Sequence, residues 1–143
     1  MPFDQEQSPL GLLLSRTYLL YRKKAAQRLQ TYDITPEQFG ILHQLSRHGG
    51  VSQKELARVH ERDQTSIGKT LERLENKQLV QRQVDPNDRR AVNVHLTTKG
   101  MELLEQVTPA MRGIEMEINE MLTDEGSDQF IESINKIYKN LSG

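Results

Sequence analysis

No cysteine occurs among the 143 residues, which removes disulfides, thiolate metal sites and thiol redox switches together. That absence suits a reducing cytoplasm, the expected location. Long apolar runs are missing too. The short run Leu10 to Leu14 follows Asp4 and Glu6 rather than a basic segment, and it falls far below the roughly 20 residues of a membrane span. No membrane association, export or anchoring is expected. The four histidines, at positions 43, 48, 60 and 95, form no i, i+4 pair, so neither a metal nor another cofactor is expected. Hydrophobic residues make up only 35% of the chain against 27% charged. A lone protomer therefore has little material for a thick core, and a second chain would supply the missing burial.

The formal net charge of -1 conceals an uneven distribution. Residues 1–46 carry five basic and four acidic side chains, residues 47–100 eleven and seven, and residues 101–143 three and nine. A basic middle between less basic ends suits a protein that presents one face to phosphates and keeps the rest away from them.

What remains reads as a helical chain with one hairpin. Leu10, Leu13, Leu14, Tyr18, Tyr21, Ala25 and Leu29 recur at helical spacing and predict an amphipathic helix over residues 8–30. Thr35-Pro36-Glu37-Gln38 offers an N-cap hydroxyl, a proline at the first helical position and a glutamine able to reach back. The helix that follows carries Phe39, Leu42 and Leu45 and stops at Gly49-Gly50. Ser52-Gln53-Lys54-Glu55 reads as a second capping box, and Asp63 caps a helix running to Gln78. Residues 80–84 and 91–96 have strand character and are joined by Asp85-Pro86-Asn87-Asp88-Arg89-Arg90. Thr97 opens a helix to Leu122 with a bend at Pro109, and Thr123-Asp124-Glu125 caps a last one with Phe130, Ile134, Ile137, Tyr138 and Leu141 in one stripe.

Two helices and a basic hairpin in this order predict a winged helix-turn-helix, and hence a reader of double-stranded DNA. On the helix after Asp63, Leu71 and Leu74 lie within about 40° of Ile67, an inward stripe. Thr65, Ser66, Lys69 and Arg73 point the other way, and Gln64 stands at the start. Short hydroxyls followed by long cations suit a first turn inserted in a major groove. On the hairpin, Arg89 and Arg90 suit a narrow minor groove, with Asp85 and Asp88 orienting them or pairing with them when DNA is absent. Ser52 joins the candidate DNA contacts. Ser66-Ile67-Gly68-Lys69 and Ser133-Ile134-Asn135-Lys136 both fit an S-x-x-K pattern. Neither has companion motifs, so no enzyme is expected.

Glu55-Leu56-Ala57, Asp63 to Ile67, Leu71-Glu72-Arg73-Leu74-Glu75, Leu79-Val80-Gln81-Arg82, the hairpin tip and Leu96-Thr97-Thr98-Lys99-Gly100 resemble the multiple-antibiotic-resistance regulator (MarR) family. The likeness extends to Ile34-Thr35-Pro36-Glu37-Gln38-Phe39 and to the helical ends. It implies a mainly α fold with a small β-hairpin: one domain over residues 1–143, dimerisation helices over 8–34 and 97–143, and a winged helix-turn-helix lobe over 35–96. It further implies a homodimeric transcriptional regulator, a steric repressor on an inverted repeat. The family's recognition positions fall on Thr65, Ser66, Lys69 and Arg73, and its wing arginine on Arg90. Family members often bind phenolic or aromatic anions between the dimerisation helices and the lobe. The residue types that would suit such a small-molecule effector here are Tyr18, Tyr21, Arg22 and His43. The cysteine-based peroxide-sensing branch is excluded.

The likeness is imperfect at the turn before the recognition helix. There the family usually has a glycine between two hydrophobic residues, and this chain has His60-Glu61-Arg62. Gly68 stands inside that helix where a side chain is usual. A winged helix used for protein interaction, or an architectural DNA binder, is the alternative reading.

Overall fold

A computed structural model describes residues 9–143. The expected start of the first helix, at residue 8, and the first eight residues of the expected domain lie outside the described residues. The elements are α1 (Leu10–Leu29), a 3-10 turn (Gln30–Tyr32), α2 (Pro36–Arg47), β1 (Val51–Ser52), α3 (Gln53–Val59), α4 (Gln64–Asn76), β2 (Val80–Asp85), β3 (Asp88–Leu96) and α5 (Thr98–Leu141). This is the expected winged-helix architecture, with one strand added and the hairpin strands lengthened.

Helix starts follow their capping residues. At α2, the Thr35 hydroxyl accepts from Gln38 N at 3.1 Å and Gln38 Oε1 accepts from Thr35 N at 3.2 Å, a complete capping box. At α3 the box is half formed. Ser52 Oγ accepts from Glu55 N at 3.0 Å, but the Glu55 carboxylate is held by Arg58 at 2.9 and 2.6 Å. A charge-assisted pair one turn along outcompetes a neutral backbone donor. Asp63 caps α4 and Thr97 caps α5.

Helix α5 is interrupted at Thr123 (φ 66°, ψ 164°), where the sequence places a new cap. Pro109 keeps helical dihedrals, so the expected bend there is not a break. The carbonyl that Pro109 leaves without a donor belongs to Glu105, an exposed residue.

The sheet order is β1-β3-β2, all antiparallel, with Val51 opposite Val94 and Val80 opposite Leu96. Val94 is fully buried as the central strand's inward residue, beside Val80 and Val51. Ile41, Leu42, Leu56, Ile67, Leu71 and Leu74 close over the sheet, and none of these six is exposed at all. Burying each aliphatic side chain favours the fold by about 1.5–3 kcal/mol. The core continues through Leu104, Val107, Met111 and Ile114 of α5 to Ala25 and Leu29 of α1.

The apolar stripe expected on α1 is buried only at its C-terminal end. Leu10, Leu13, Leu14 and Tyr18 remain 39–60% exposed. Phe130, Ile134, Ile137, Tyr138 and Leu141 of α5 remain 37–84% exposed as well. Their periodicity marks faces that the described residues do not cover. Among the described residues, no helix is long and apolar enough to cross a membrane.

Candidate DNA interface

Helix α4 is anchored by Ile67, Leu71 and Leu74 at zero exposure, as its wheel requires. Gln64, Thr65, Lys69 and Arg73 are exposed on the opposite side. Ser66 is half-buried and serves the cap: its N–H donates to Asp63 Oδ1 at 2.8 Å and its hydroxyl to Asp63 Oδ2 at 2.9 Å. Those two bonds hold the Asp63 carboxyl below its ordinary range. With its proton engaged, Ser66 Oγ keeps only acceptor capacity. Lys69, Arg73 and Arg89 form no ion pair among the described residues, in contrast to Arg58, Arg62, Lys77 and Arg82. Ser52 Oγ spends a lone pair on the α3 cap and keeps its hydrogen to donate.

The wing differs from the sequence expectation. Asp85 and Asp88 pair directly, so the turn is Pro86-Asn87 alone, closed by Asn87 N donating to Asp85 Oδ1 at 2.8 Å. Asp85 therefore shapes the turn and does not orient an arginine. Arg89 and Arg90 lie on β3, not on the turn. Val84 is opposite Val92, which leaves Arg89, Arg90 and Ala91 without partners on β2. A bulge of this kind re-aims the side chains it carries. The Arg90 side chain is 95% exposed, and Asp88 Oδ1 lies 3.6 Å from its Nε and accepts from its backbone N at 3.0 Å.

The wing is tied to α4 by Arg82 of β2, which is bound to Glu75 of α4 at 3.1 Å (Nη2) and 3.3 Å (backbone N). At the other edge of the sheet, His95 Nδ1 lies 3.1 Å from Gly49 O. A Cβ on Gly50 (φ 151°) would stand 2.5 Å from the His95 ring, so the turn entering β1 requires glycine.

A cleft of about 350 Å³ opens between α1, α2, α5 and the turn before α4. Tyr18, Tyr21 and Arg22 line it, as the sequence suggested, together with Glu37, Phe39, His60, Arg62 and Met111. His43 does not. It is exposed one helical turn further along α2, with its ring 6.0 Å from that of Phe39. Burial raises the Tyr21 phenol above its ordinary range, with Glu115 and Tyr18 adding to the effect, so it stays protonated and able to donate. Burial lowers the His60 imidazole against the opposing pull of Glu37. The only sequence signal for His60 and Arg62 was the polar turn itself; Glu37 and Phe39 looked like helix-start and core residues.

Arg62 Nη1 donates to Glu37 Oε2 at 2.6 Å, and the one hydroxyl hydrogen of Thr70 on α4 is shared between Glu37 Oε1 and Ser66 O, each 3.2 Å away. One carboxylate thus joins the cleft wall to the helix that would read DNA. A second cavity, of about 360 Å³ between Tyr32, Asp33, Lys77, Lys99 and Glu102, carries balanced charge and no aromatic cluster.

The sequence model of the MarR family matches residues 34–92. The HTH-type transcriptional repressor NicR of Pseudomonas putida is 37% identical over 113 residues, 79% of this chain and 71% of the relative. Among solved structures, a mutant MarR from E. coli complexed with operator DNA has a TM-score of 0.84 at 28% identity, covering 93% of this chain and 96% of that one. The S. aureus MepR-DNA complex has a TM-score of 0.84 at 30% identity, covering 92% and 97%. With the winged-helix fold and this coverage in hand, the chain belongs to the MarR family of transcriptional regulators.

Proposed function

We propose that the protein is a homodimeric repressor that binds an inverted-repeat operator and blocks a promoter. The single observation that carries this reading is the outward face of α4, where Lys69 and Arg73 stand without an ion pair among the described residues, behind Gln64, Thr65 and Ser66 and beside a wing whose bulge carries Arg89 and Arg90. In this division of labour, residues 35–96 form the DNA-binding lobe, and residues 8–34 and 97–143 supply dimerisation through the uncovered faces of α1 and α5. Two-fold symmetry would set the α4 helices about 34 Å apart, one turn of B-DNA. The likeness to MarR and MepR structures bound to DNA supports the assignment. The protein works in the cytoplasm and catalyses no reaction; Ser66, the serine of the first S-x-x-K pattern, is committed to the α4 cap.

The reading extends to an effector. The phenols of Tyr18 and Tyr21, Phe39 and the guanidinium groups of Arg22 and Arg62 suit a small aromatic carboxylate. A carboxylate bound to Arg62 competes with Glu37 and loosens its hold on the α4 side. It releases DNA only if it binds the released geometry more tightly.

The test is retention of fragmented genomic DNA by the purified protein at two salt concentrations, followed by sequencing. Enrichment of one inverted repeat is expected. If the dimer neutralises about eight phosphates, log affinity falls with log salt at a slope near -7. Uniform retention without a motif would favour an architectural binder, and no retention would refute the reading. Titration of the operator complex with benzoate, in the wild type and in Arg22→Ala, tests the effector. Operator affinity unchanged at saturating benzoate would remove the aromatic-carboxylate proposal.

A further inference from the structure

The turn between α3 and α4 has a backbone that favours glycine and side chains that glycine lacks. Glu61 holds φ at 52°, the left-handed region in which a residue with a Cβ is strained. Its carboxylate nevertheless reaches a distant partner: Tyr138 Oη, 77 positions along the chain on the C-terminal arm of α5, donates to Glu61 Oε1 at 2.9 Å. The neighbours behave alike. His60 Nε2 lies 2.9 Å from Gln44 Oε1 on α2, and Arg62 is bound to Glu37 at the start of α2. Three consecutive side chains, immediately before the Asp63 cap, are thus fastened to two elements outside the α3–α4 pair.

We infer that His60-Glu61-Arg62 is a brace that positions α4, and that the Glu61–Tyr138 bond ties the N-terminal end of α4 to the arm of α5, so that these two positioning residues tune the spacing of half-sites the dimer accepts. The inference deepens the operator-binding reading and rests on it. The His60 and Arg62 contacts fix α4 within its own lobe. Glu61 acts differently, because Tyr138 belongs to the arm whose Phe130, Ile134 and Ile137 side chains are left uncovered in the protomer. A lobe hinged on that arm transmits the arm's orientation to the recognition helix. Without the bond, the lobe would swing over a wider range, and operators one base pair too long or too short would be bound at less disadvantage. Contacts of Thr65, Lys69 and Arg73 with base edges would be unchanged, since none of them belongs to the brace.

The experiment measures affinity for the selected inverted repeat and for versions with one base pair inserted or deleted between half-sites. Wild type is expected to prefer the native spacing by about tenfold, the scale of one unfavourable position in a site. Tyr138→Phe, which removes one oxygen and keeps the ring, is expected to reduce that preference to about threefold, with base preference within each half-site and melting temperature unchanged. Glu61→Gly, which suits the backbone and removes the acceptor, should reduce the spacing preference likewise, and the double variant should reduce it no further. Glu61→Gln, whose amide oxygen still accepts, should restore the preference. Wild-type spacing discrimination retained in both Tyr138→Phe and Glu61→Gly overturns the brace. Failure of the wild type to bind any of the three duplexes overturns the operator reading itself.

Discussion

Replacing Gly100 with alanine tests how the wing and α4 are mounted on α5. Gly100 lies in the first turn of α5, and a Cβ there would stand 2.2 Å from Leu79 O and 3.1 Å from Leu96 Cδ2. A carbon and a carbonyl oxygen ordinarily approach no closer than about 3.3 Å, so something must move by about 1 Å. Leu79 is poorly placed to yield. Its carbonyl accepts from Thr97 N at 3.1 Å, its N–H donates to Leu74 O at 3.0 Å, and its side chain is buried. Forcing a methyl into such a contact costs about 1–3 kcal/mol. Weakening the Thr97–Leu79 bond adds about 1 kcal/mol. Alanine's better helix propensity returns about 1 kcal/mol, for a net loss of about 1–3 kcal/mol. Gly68→Ala is the control. There the new Cβ would meet Gln53 Nε2 at 3.0 Å, the free end of a side chain that donates to Gln64 O at 3.3 Å. Gln53 can swing away, so Gly68→Ala is expected to be neutral or to stabilise by up to about 1 kcal/mol. Urea unfolding at fixed protein concentration reads both. A Gly100→Ala protein as stable as wild type would refute the packing argument, and strong destabilisation by Gly68→Ala would show that α4 needs its glycine.

Arg90→Ala is expected to lower operator affinity with little change in base preference and to reduce the salt slope by about two, one contact from each protomer, whereas Lys69→Ala relaxes base preference; electrophoretic or fluorescence titrations across salt concentrations separate the two. Burial holds the folded-state His60 pKa below its unfolded value of about 6.5, so the unfolded chain takes up this proton first. Its contribution makes stability fall as pH drops from about 6.5 through the folded-state value, with no effect above, and His60→Gln should flatten that slope in unfolding measured between pH 7.5 and pH 5. Ile134→Glu removes two buried isoleucines from a dimer at about 1.5–3 kcal/mol each, which weakens association by about 10² to 10⁴-fold. Sedimentation should show monomer at micromolar concentration, and an undisturbed dimer would place the interface elsewhere.

Periodicity and capping chemistry made most of the fold legible. The inward face of α4 followed from Ile67, Leu71 and Leu74, and the caps at Thr35, Asp63 and Thr97 followed from a hydroxyl or carboxylate three residues before its backbone donor. Strand β1 escaped because two residues, Val51 and Ser52, carry no period and owe their extended form to Val94 and Asn93 on a strand forty residues away. The second capping box misled because its sequence is silent on competition: Glu55 has a guanidinium three residues along and takes it. The hairpin tip misled for a related reason, since the gap in the Val84–Val92 register depends on how two strands are stitched together and not on either alone.

The candidate sites show the same divide between local and nonlocal information. Tyr18, Tyr21 and Arg22 share one stretch of α1, and the cleft contains all three. His43 lies off it by one turn of α2, a displacement that depends on how α2 is rolled against α1. Glu37 was readable only as a favourable acidic residue in the first turn of a helix. Its contacts with Arg62 and Thr70 span 25 and 33 residues, and that separation is what lets one side chain touch both the cleft wall and α4. Glu61 is the sharper case. In sequence it is a charged residue in an unusual turn, and only the fold brings it to Tyr138, where removing a single phenolic oxygen distinguishes a turn that merely closes from one that sets where α4 lies.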